Sequence, residues 1–471
     1  MARQDFDLIV RGGTVATDAD VFEADVGVVG GQVAAIGKSL GTGRLEIDAK
    51  GKLVLPGGVD SHAHIEQISS NGLLGADDWE SGTTAAAFGG TTTVIAFAAQ
   101  HKGMNLEKVV DDYSRLARKG AVIDYTFHLI IADPTPETLQ DHLPKLLTEG
   151  HNSIKLFMTY DLLNVDDASI LETLSIARRF GANVSFHAEN YGMITWATRH
   201  LLAAGKVHPR YHADSHPRLA EVEAIGRVIR LGEMVDQPIV IFHVSTAEGA
   251  AVIRDARARG VSVSAETCPQ YLLLTREELD KPGLEGAKWM CSPPLREAAD
   301  QDALWHALRL RDLQLVTSDH APYRFDETGK LRSGPHSTFK QIGNGMPGIE
   351  VRLPLLFDAM VSKGRFDVRR FVELTSTAPA KLYGLHPRKG TVAIGADADL
   401  VVWDPDRSVT ITKSILHDRT DYTPYDGHGV RGWPETIIRR GEIIIQGGSL
   451  AAEPGTGRYV RPTRAARAHS L

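Results

Sequence analysis

His62 and His64 stand one residue apart in the run Gly57-Gly58-Val59-Asp60-Ser61-His62-Ala63-His64. In extended chain that spacing turns both imidazoles to the same side. A lone His-x-His pair is a weak signal, because polar rim residues at a strand end give the same pattern. Further along, apolar β-branched runs end in His187, in His243 and in Asp319, and Lys155 lies inside the run Ile154-Lys155-Leu156-Phe157-Met158. Four imidazoles and a carboxylate on one rim form a donor set for a borderline-soft divalent cation such as Zn²⁺. Lys155 is the odd member, since an unpaired ammonium within a buried strand carries a large desolvation penalty. A structural ion pair, a Schiff-base lysine or a lysine converted by CO2 to a carbamate would each account for it. The Schiff base is disfavoured, because two neighbouring cations on a histidine-rich rim repel an ammonium. The carbamate would make the residue a bidentate anionic ligand able to bridge two metals.

Those residues share a rim only if the chain between them repeats. From Leu53 onward, apolar runs alternate with amphipathic helical stretches, as in parallel βαβ units. The runs are Leu53–Val59, Thr92–Phe97, Val122–Ile131, Ser153–Met158, Asn183–Ala188, Pro238–Val244, Val261–Thr267 and Leu313–Ser318. Eight parallel strands over ~250 or more residues is the arithmetic of a (β/α)8 barrel, whose chemistry sits at the C-terminal ends of the strands. The long stretch Ile194–Val235 reads as one crossover with an extra helix, Trp196–Ala204 preceding Leu219–Met234. The first fifty residues read instead as short strands with glycine turns, Phe6–Val10, Asp25–Val29 and Gln32–Ile36. The same grammar returns in Gly390–Trp403 and Thr436–Gln446, and Leu8-Ile9-Val10-Arg11-Gly12-Gly13 resembles Ile437-Ile438-Arg439-Arg440-Gly441. The expected architecture is therefore α/β: a (β/α)8 TIM-like barrel over 53–385 and a smaller β-sandwich built from 1–52 and 386–471.

A chain of 471 residues with 42% hydrophobic and 24% charged residues is neither disordered, collagenous nor a disulfide framework. Cys268 and Cys291 are too few for a thiolate metal site. The net charge of −7 argues against a binder of duplex nucleic acid. Arg458, Arg461, Arg464 and Arg467 crowd the end of the chain and read as a flexible solvated tail or an arm on a neighbouring subunit. Met1–Val10 carries Arg3, Asp5 and Asp7 and lacks the apolar core of a signal peptide, and no apolar run approaches the ~20 residues of a membrane helix. A cytoplasmic location is the expectation.

The His62/His64 run, Lys155 followed by Phe157-Met158-Thr159-Tyr160, His187-Ala188-Glu189, His243-Val244-Ser245 and Ser318-Asp319-His320-Ala321-Pro322 together resemble the amidohydrolase superfamily. More narrowly they resemble its dihydropyrimidinase and hydantoinase branch of cyclic amidases. Gly395-Ala396-Asp397-Ala398-Asp399-Leu400 resembles the family's return into the β domain, so the likeness covers nearly the whole chain. The resemblance implies that His62, His64 and Asp319 bind one metal and His187 and His243 the other. Carbamylated Lys155 and a hydroxide would bridge them, with zinc the expected ion and manganese the other candidate. Two cations lower the pKa of a shared water and polarise the carbonyl under attack. Asp319 would carry the hydroxide proton to the leaving nitrogen. The Tyr160 phenol would donate to the tetrahedral oxyanion, a role worth ~3 kcal/mol in comparable holes.

By the same resemblance, the main chain at Ser292, in Cys291-Ser292-Pro293-Pro294-Leu295-Arg296, and at Asn344, in Asn344-Gly345-Met346-Pro347-Gly348, grips the cyclic amide edge. The implied assembly is a homotetramer. One stretch departs from the family: Ile65-Glu66-Gln67-Ile68-Ser69-Ser70-Asn71-Gly72 replaces a Met-Pro-Phe-Gly type loop that covers the ring substituent, and the residue before His62 is not proline. Glu66 and Gln67 read either as solvated loop residues or as the wall of a more polar pocket. The expected reaction is hydrolysis of a ring C–N bond in a dihydropyrimidine, a hydantoin or a related imide. Allantoinase-like or imidase activity is the alternative among enzymes. A non-catalytic scaffold like the collapsin response mediators is the alternative outside them, although such scaffolds have lost metal ligands and this chain retains all six.

Overall fold

Eight parallel strands lie side by side in sequence order, from Gly58–Ala63 through Thr91–Ala99, Asp124–Ile130, Ser153–Phe157, Asn183–His187, Ile239–Ile241 and Val263–Thr267 to Leu315–Val316. The computed structural model describes residues 6–69 and 71–463. Arg3, Asp5, Ser70, Arg464 and Arg467, on which parts of the sequence reading rest, lie outside the described residues. The strands are buried on both faces because both faces are covered; all nine residues of Thr91–Ala99 are buried. Alternate residues serve different cores. Ile95 and Phe97 join Val59, Phe157, Val240 and Phe242 in one buried cluster. Val94 and Ala96 join the larger cluster made with the helices. Ala63 of the first strand bridges His320, just beyond the eighth, and the His64 N–H donates to the His320 carbonyl at 2.7 Å, bringing the two ends of the sheet together.

The intervening helices start where the sequence supplies side-chain caps. Asn105, Asp166, Asn190 and Thr246 each accept from the backbone N–H three residues on. The long crossover carries three helices, Tyr191–Ala203, the single turn Tyr211–Ser215 and Arg218–Met234. No helix among the described residues is long and apolar enough to cross a membrane.

Two strand expectations are corrected. The run Leu53–Val59 is not one strand. Leu53–Pro56 pairs with the terminal sheet and the first barrel strand begins at Gly58. The break lies at Gly57, where an added Cβ would come within 2.0 Å of the Thr92 side chain. The sixth and eighth runs ladder only over Ile239–Ile241 and Leu315–Val316. Beyond them the chain leaves the extended region, with φ at 41° for His243 and 47° for Asp319.

Both ends of the chain build a separate nine-stranded sheet. Phe6–Ala16 pairs in parallel first with Gly43–Asp48 and then with Leu53–Pro56, switching partner at a bulge between Val10 and Gly13. Gly12, at φ 62°, supplies the left-handed conformation this kink requires. Leu53–Pro56 in turn pairs with Leu400–Thr410, which is followed by Gly429–Arg439, Glu442–Gln446 and Ser449–Leu450. The sheet is hydrogen-bonded throughout and encloses a core that includes Leu8, Val10, Val26, Val54, Leu400 and Ile438. In the stretch Gly390–Trp403 the strand starts only at Leu400.

The C-terminal arginines do not form a free tail as far as the described residues run. Arg458 N–H donates to Asp124 at 2.9 Å, Val460 N–H to the Tyr125 carbonyl at 2.8 Å and Thr463 N–H to the Gly384 carbonyl at 2.8 Å. Burial of Val460 among the barrel's apolar residues holds the segment on its own chain.

Candidate metal centre and active site

The barrel delivers its polar residues to one end. His62 is the fifth residue of the first strand, His187 ends the fifth strand, and His243 and Asp319 follow the sixth and eighth. His62 Nε2 lies 3.0 Å and His64 Nε2 3.5 Å from Asp319 Oδ1. Ligand atoms of these three residues all lie within 4.8 Å of one another. The His187 and His243 rings are 4.4 Å apart, and His243 is 5.4 Å from His62. Lys155 is fully buried, its Nζ 3.9 Å from the centroid of Phe242 and 4.9 Å from that of Phe157, with no hydrogen-bond partner. Of the readings open for Lys155, a structural ion pair is therefore absent among the described residues. His243 Nδ1 is likewise buried and unpartnered. Unsatisfied nitrogens amid histidines and a carboxylate suit a divalent cation.

Burial and charge oppose each other here. Burial alone would depress His62, but the Asp319 and Glu266 carboxylates raise it to about 9. Burial lowers His64 and His187. It lowers His243 further, with help from His187 and Lys155. Burial pushes the Asp319 carboxyl up, yet His62 and His64 hold it well below the usual carboxylate range. Lys155 is brought down to about 7 by burial, which Glu266 and Asp319 offset only in part.

A ring of partners behind the histidines escaped the sequence reading. Glu266, on the seventh strand, binds His62 Nδ1. Glu189 accepts His187 Nε2 at 2.7 Å with one oxygen and His216 Nδ1 at 2.9 Å with the other. Gln67 Oε1 lies 2.7 Å from His64 Nδ1. Such contacts fix ring orientation. Two carried a local signal, Glu189 two residues after His187 and Gln67 three after His64. Glu266 carried none, standing 204 positions from His62. The solvated reading of Glu66 and Gln67 is thus corrected: Gln67 holds His64, and Glu66 accepts the Trp79 N–H at 3.2 Å at the start of helix Trp79–Phe88.

Tyr160, Ser292 and Asn344 join the six metal-candidate residues in lining a single cavity of about 600 Å³. The Tyr160 phenol is raised well above its ordinary value by burial and by the charge of Glu189, so it remains a proton-bearing donor. Ser292 Oγ lies 3.4 Å from His212 Nε2, and Asn344 Oδ1 is buried without a partner. Tyr160 at φ 73° joins His243 and Asp319 in the left-handed region. Each such residue costs on the order of 1–3 kcal/mol, a strain concentrated at functional sites.

The model of the amidohydrolase family matches residues 53–444. The chain is 40% identical over 456 residues to the D-hydantoinase of Ralstonia pickettii, covering 97% of this chain and 98% of that one. It is 42% identical over 456 residues to the D-hydantoinase of Geobacillus stearothermophilus, covering 96% of each. The solved dihydropyrimidinase of Brevibacillus agri superposes with a TM-score of 0.93 at 41% identity, over 98% of this chain and 99% of that one.

Proposed function

The chain belongs to the amidohydrolase family, and from that premise we propose that it hydrolyses the ring C–N bond of a cyclic amide, a hydantoin or dihydropyrimidine, to an N-carbamoyl amino acid. The observation that carries this reading is the shared cavity: His62, His64, Lys155, His187, His243 and Asp319 line it together with Tyr160, Ser292 and Asn344. A non-catalytic scaffold has no use for such a set.

His62, His64 and Asp319 would hold one divalent ion and His187 and His243 a second. Lys155, whose Nζ has no partner, would serve both as its carbamate. Cations in that donor set supply hydroxide at neutral pH and polarise the amide carbonyl. The Asp319 carboxylate, kept ionised by its histidines, takes the proton of the attacking water and returns it to the ring nitrogen as the C–N bond breaks. Tyr160 donates its phenolic hydrogen to the oxygen that gains charge in the tetrahedral species. Main-chain groups at Ser292 and Asn344 orient the ring by its N–H and C=O edge. Zinc suits the mixed nitrogen and oxygen ligands, with manganese the other candidate; a homotetramer and a cytoplasmic location complete the proposal.

The test is a hydrolysis panel of dihydrouracil, 5-substituted hydantoins, allantoin and simple imides, followed by loss of amide absorbance on protein with its metal content measured. Turnover of hydantoins or dihydrouracil with close to two divalent ions per chain is expected. Turnover of allantoin or imides alone would reassign the ring, and full activity in metal-free protein would overturn the mechanism.

A further inference from the structure

The cavity is larger than its chemistry needs, and the surplus is bounded by one helix. Tyr191, Ile194, Thr195, Thr198, Arg199 and Leu202 all line it, a spacing that forms a single stripe along Tyr191–Ala203. At 1.5 Å per residue the stripe runs for roughly 16 Å, a span that one five- or six-membered ring does not fill. The rest leaves room for a substituent on the ring.

Charge accounting identifies the end of that substituent. Among the Lys, Arg and Asp side chains that line the cavity, Asp319 is held by His62 and His64. Asp161 accepts the Tyr191 hydroxyl at 3.1 Å and faces Lys340 Nζ at 3.4 Å. Lys155 belongs to the metal cluster. Arg199 is the remaining charge, and among the described residues it forms neither an ion pair nor a side-chain hydrogen bond. Its planar guanidinium is suited to grip a carboxylate with two parallel bonds. Ile194, Leu202, Phe339 and Ile342 supply apolar wall for a short alkyl stem.

We propose that Arg199 selects substrates whose ring carries an alkyl carboxylate. This deepens the cyclic-amidase reading above and rests on it. The polar stretch around Gln67, Ser69 and Asn71, which also lines the cavity, is consistent with a hydrophilic rather than a phenyl substituent.

The experiment compares kcat/KM for 5-(2-carboxyethyl)hydantoin and the uncharged 5-propylhydantoin, with unsubstituted hydantoin as the control for the underlying reaction. Wild-type holoenzyme is expected to favour the carboxylate by about tenfold or more. In R199Q that ratio should collapse to near unity, and in R199E it should fall below unity. Because Arg199 is exposed, both variants should fold. A wild-type ratio near unity, or a preference unchanged in R199Q, would overturn the proposal while turnover of hydantoin leaves the cyclic-amidase reading standing. Failure on hydantoin and every other ring of the panel would overturn both.

Discussion

Two buried lysines at opposite ends of the barrel have been treated in opposite ways. Lys389, at the junction with the terminal sheet, places its Nζ 2.6 Å from Asp124, 2.7 Å from Asp399 and 3.0 Å from Asp397. Burial would depress it, but those carboxylates raise it above the ordinary lysine value. Lys155, equally buried, has two aromatic faces and no hydrogen-bond partner, and burial brings it down to about 7. Lys330 stands between the two extremes. Its Nζ donates to the Met290 and Gly343 carbonyls at 3.1 and 2.8 Å, and burial still lowers it to about 7. Burial is common to all three, so the difference lies in what was placed opposite the charge. A paired ammonium joins two parts of the fold; one left with a vacant nitrogen beside histidines is available for chemistry.

The comparison can be broken most decisively at Lys155. Lys155→Ala should lose bound metal and at least a thousandfold in turnover together while the far-ultraviolet spectrum stays unchanged. A short carboxylic acid added to the buffer should restore part of both. A variant that keeps its metal would remove Lys155 from the site. Lys389→Met should do the reverse. It removes the cation shared by Asp124, Asp397 and Asp399, leaving Asp124 with Arg440 and Asp397 with Arg388 but Asp399 without an ion-pair partner among the described residues, a loss of about 3–5 kcal/mol of stability. Chemical denaturation would read that loss, with activity per folded molecule retained.

The smallest effect concerns acid. Burial pushes the Asp124 carboxyl up, but Lys389 and Arg440 outweigh it and hold it below its ordinary value. A carboxyl depressed in the folded state stabilises the protein above the unfolded value of roughly 3.9 and ceases to do so as pH falls through the folded one. Asp124→Asn should therefore be less stable near pH 6 yet show a shallower decline between pH 5 and 3, by about 2–4 °C in Tm. A parallel decline in both proteins would show that the junction is not held by that charge.

The same contrast explains what could be read from sequence. Seven of the eight barrel strands coincide with apolar runs read from the sequence, because strands covered on both faces are rich in apolar and β-branched residues. The shared rim position of the histidines and Asp319 followed because a barrel presents its strand ends to one place. The split at Gly57 did not, since Leu53–Val59 is apolar across two sheets and the break depends on how closely Thr92 approaches. Glu266 beside His62 and the carboxylates around Lys389 were invisible for a related reason. Their partners are set by tertiary placement, and no spacing within the chain records it. The tail misled because Arg458 and Arg461 read as solvent-seeking, whereas the backbone there bonds to the third barrel strand.

The terminal sheet has a consequence for synthesis. Leu53–Pro56 lies between a strand from the start of the chain and one from near its finish, and Lys52 meets Asp404 across 352 positions. While the chain is still emerging from the ribosome, the strands made first must wait with an unpaired edge until Leu400–Thr410 arrives. Translation halted after the barrel but before that strand would leave this edge open to any other extended segment, and such fragments should aggregate rather than persist as small barrels.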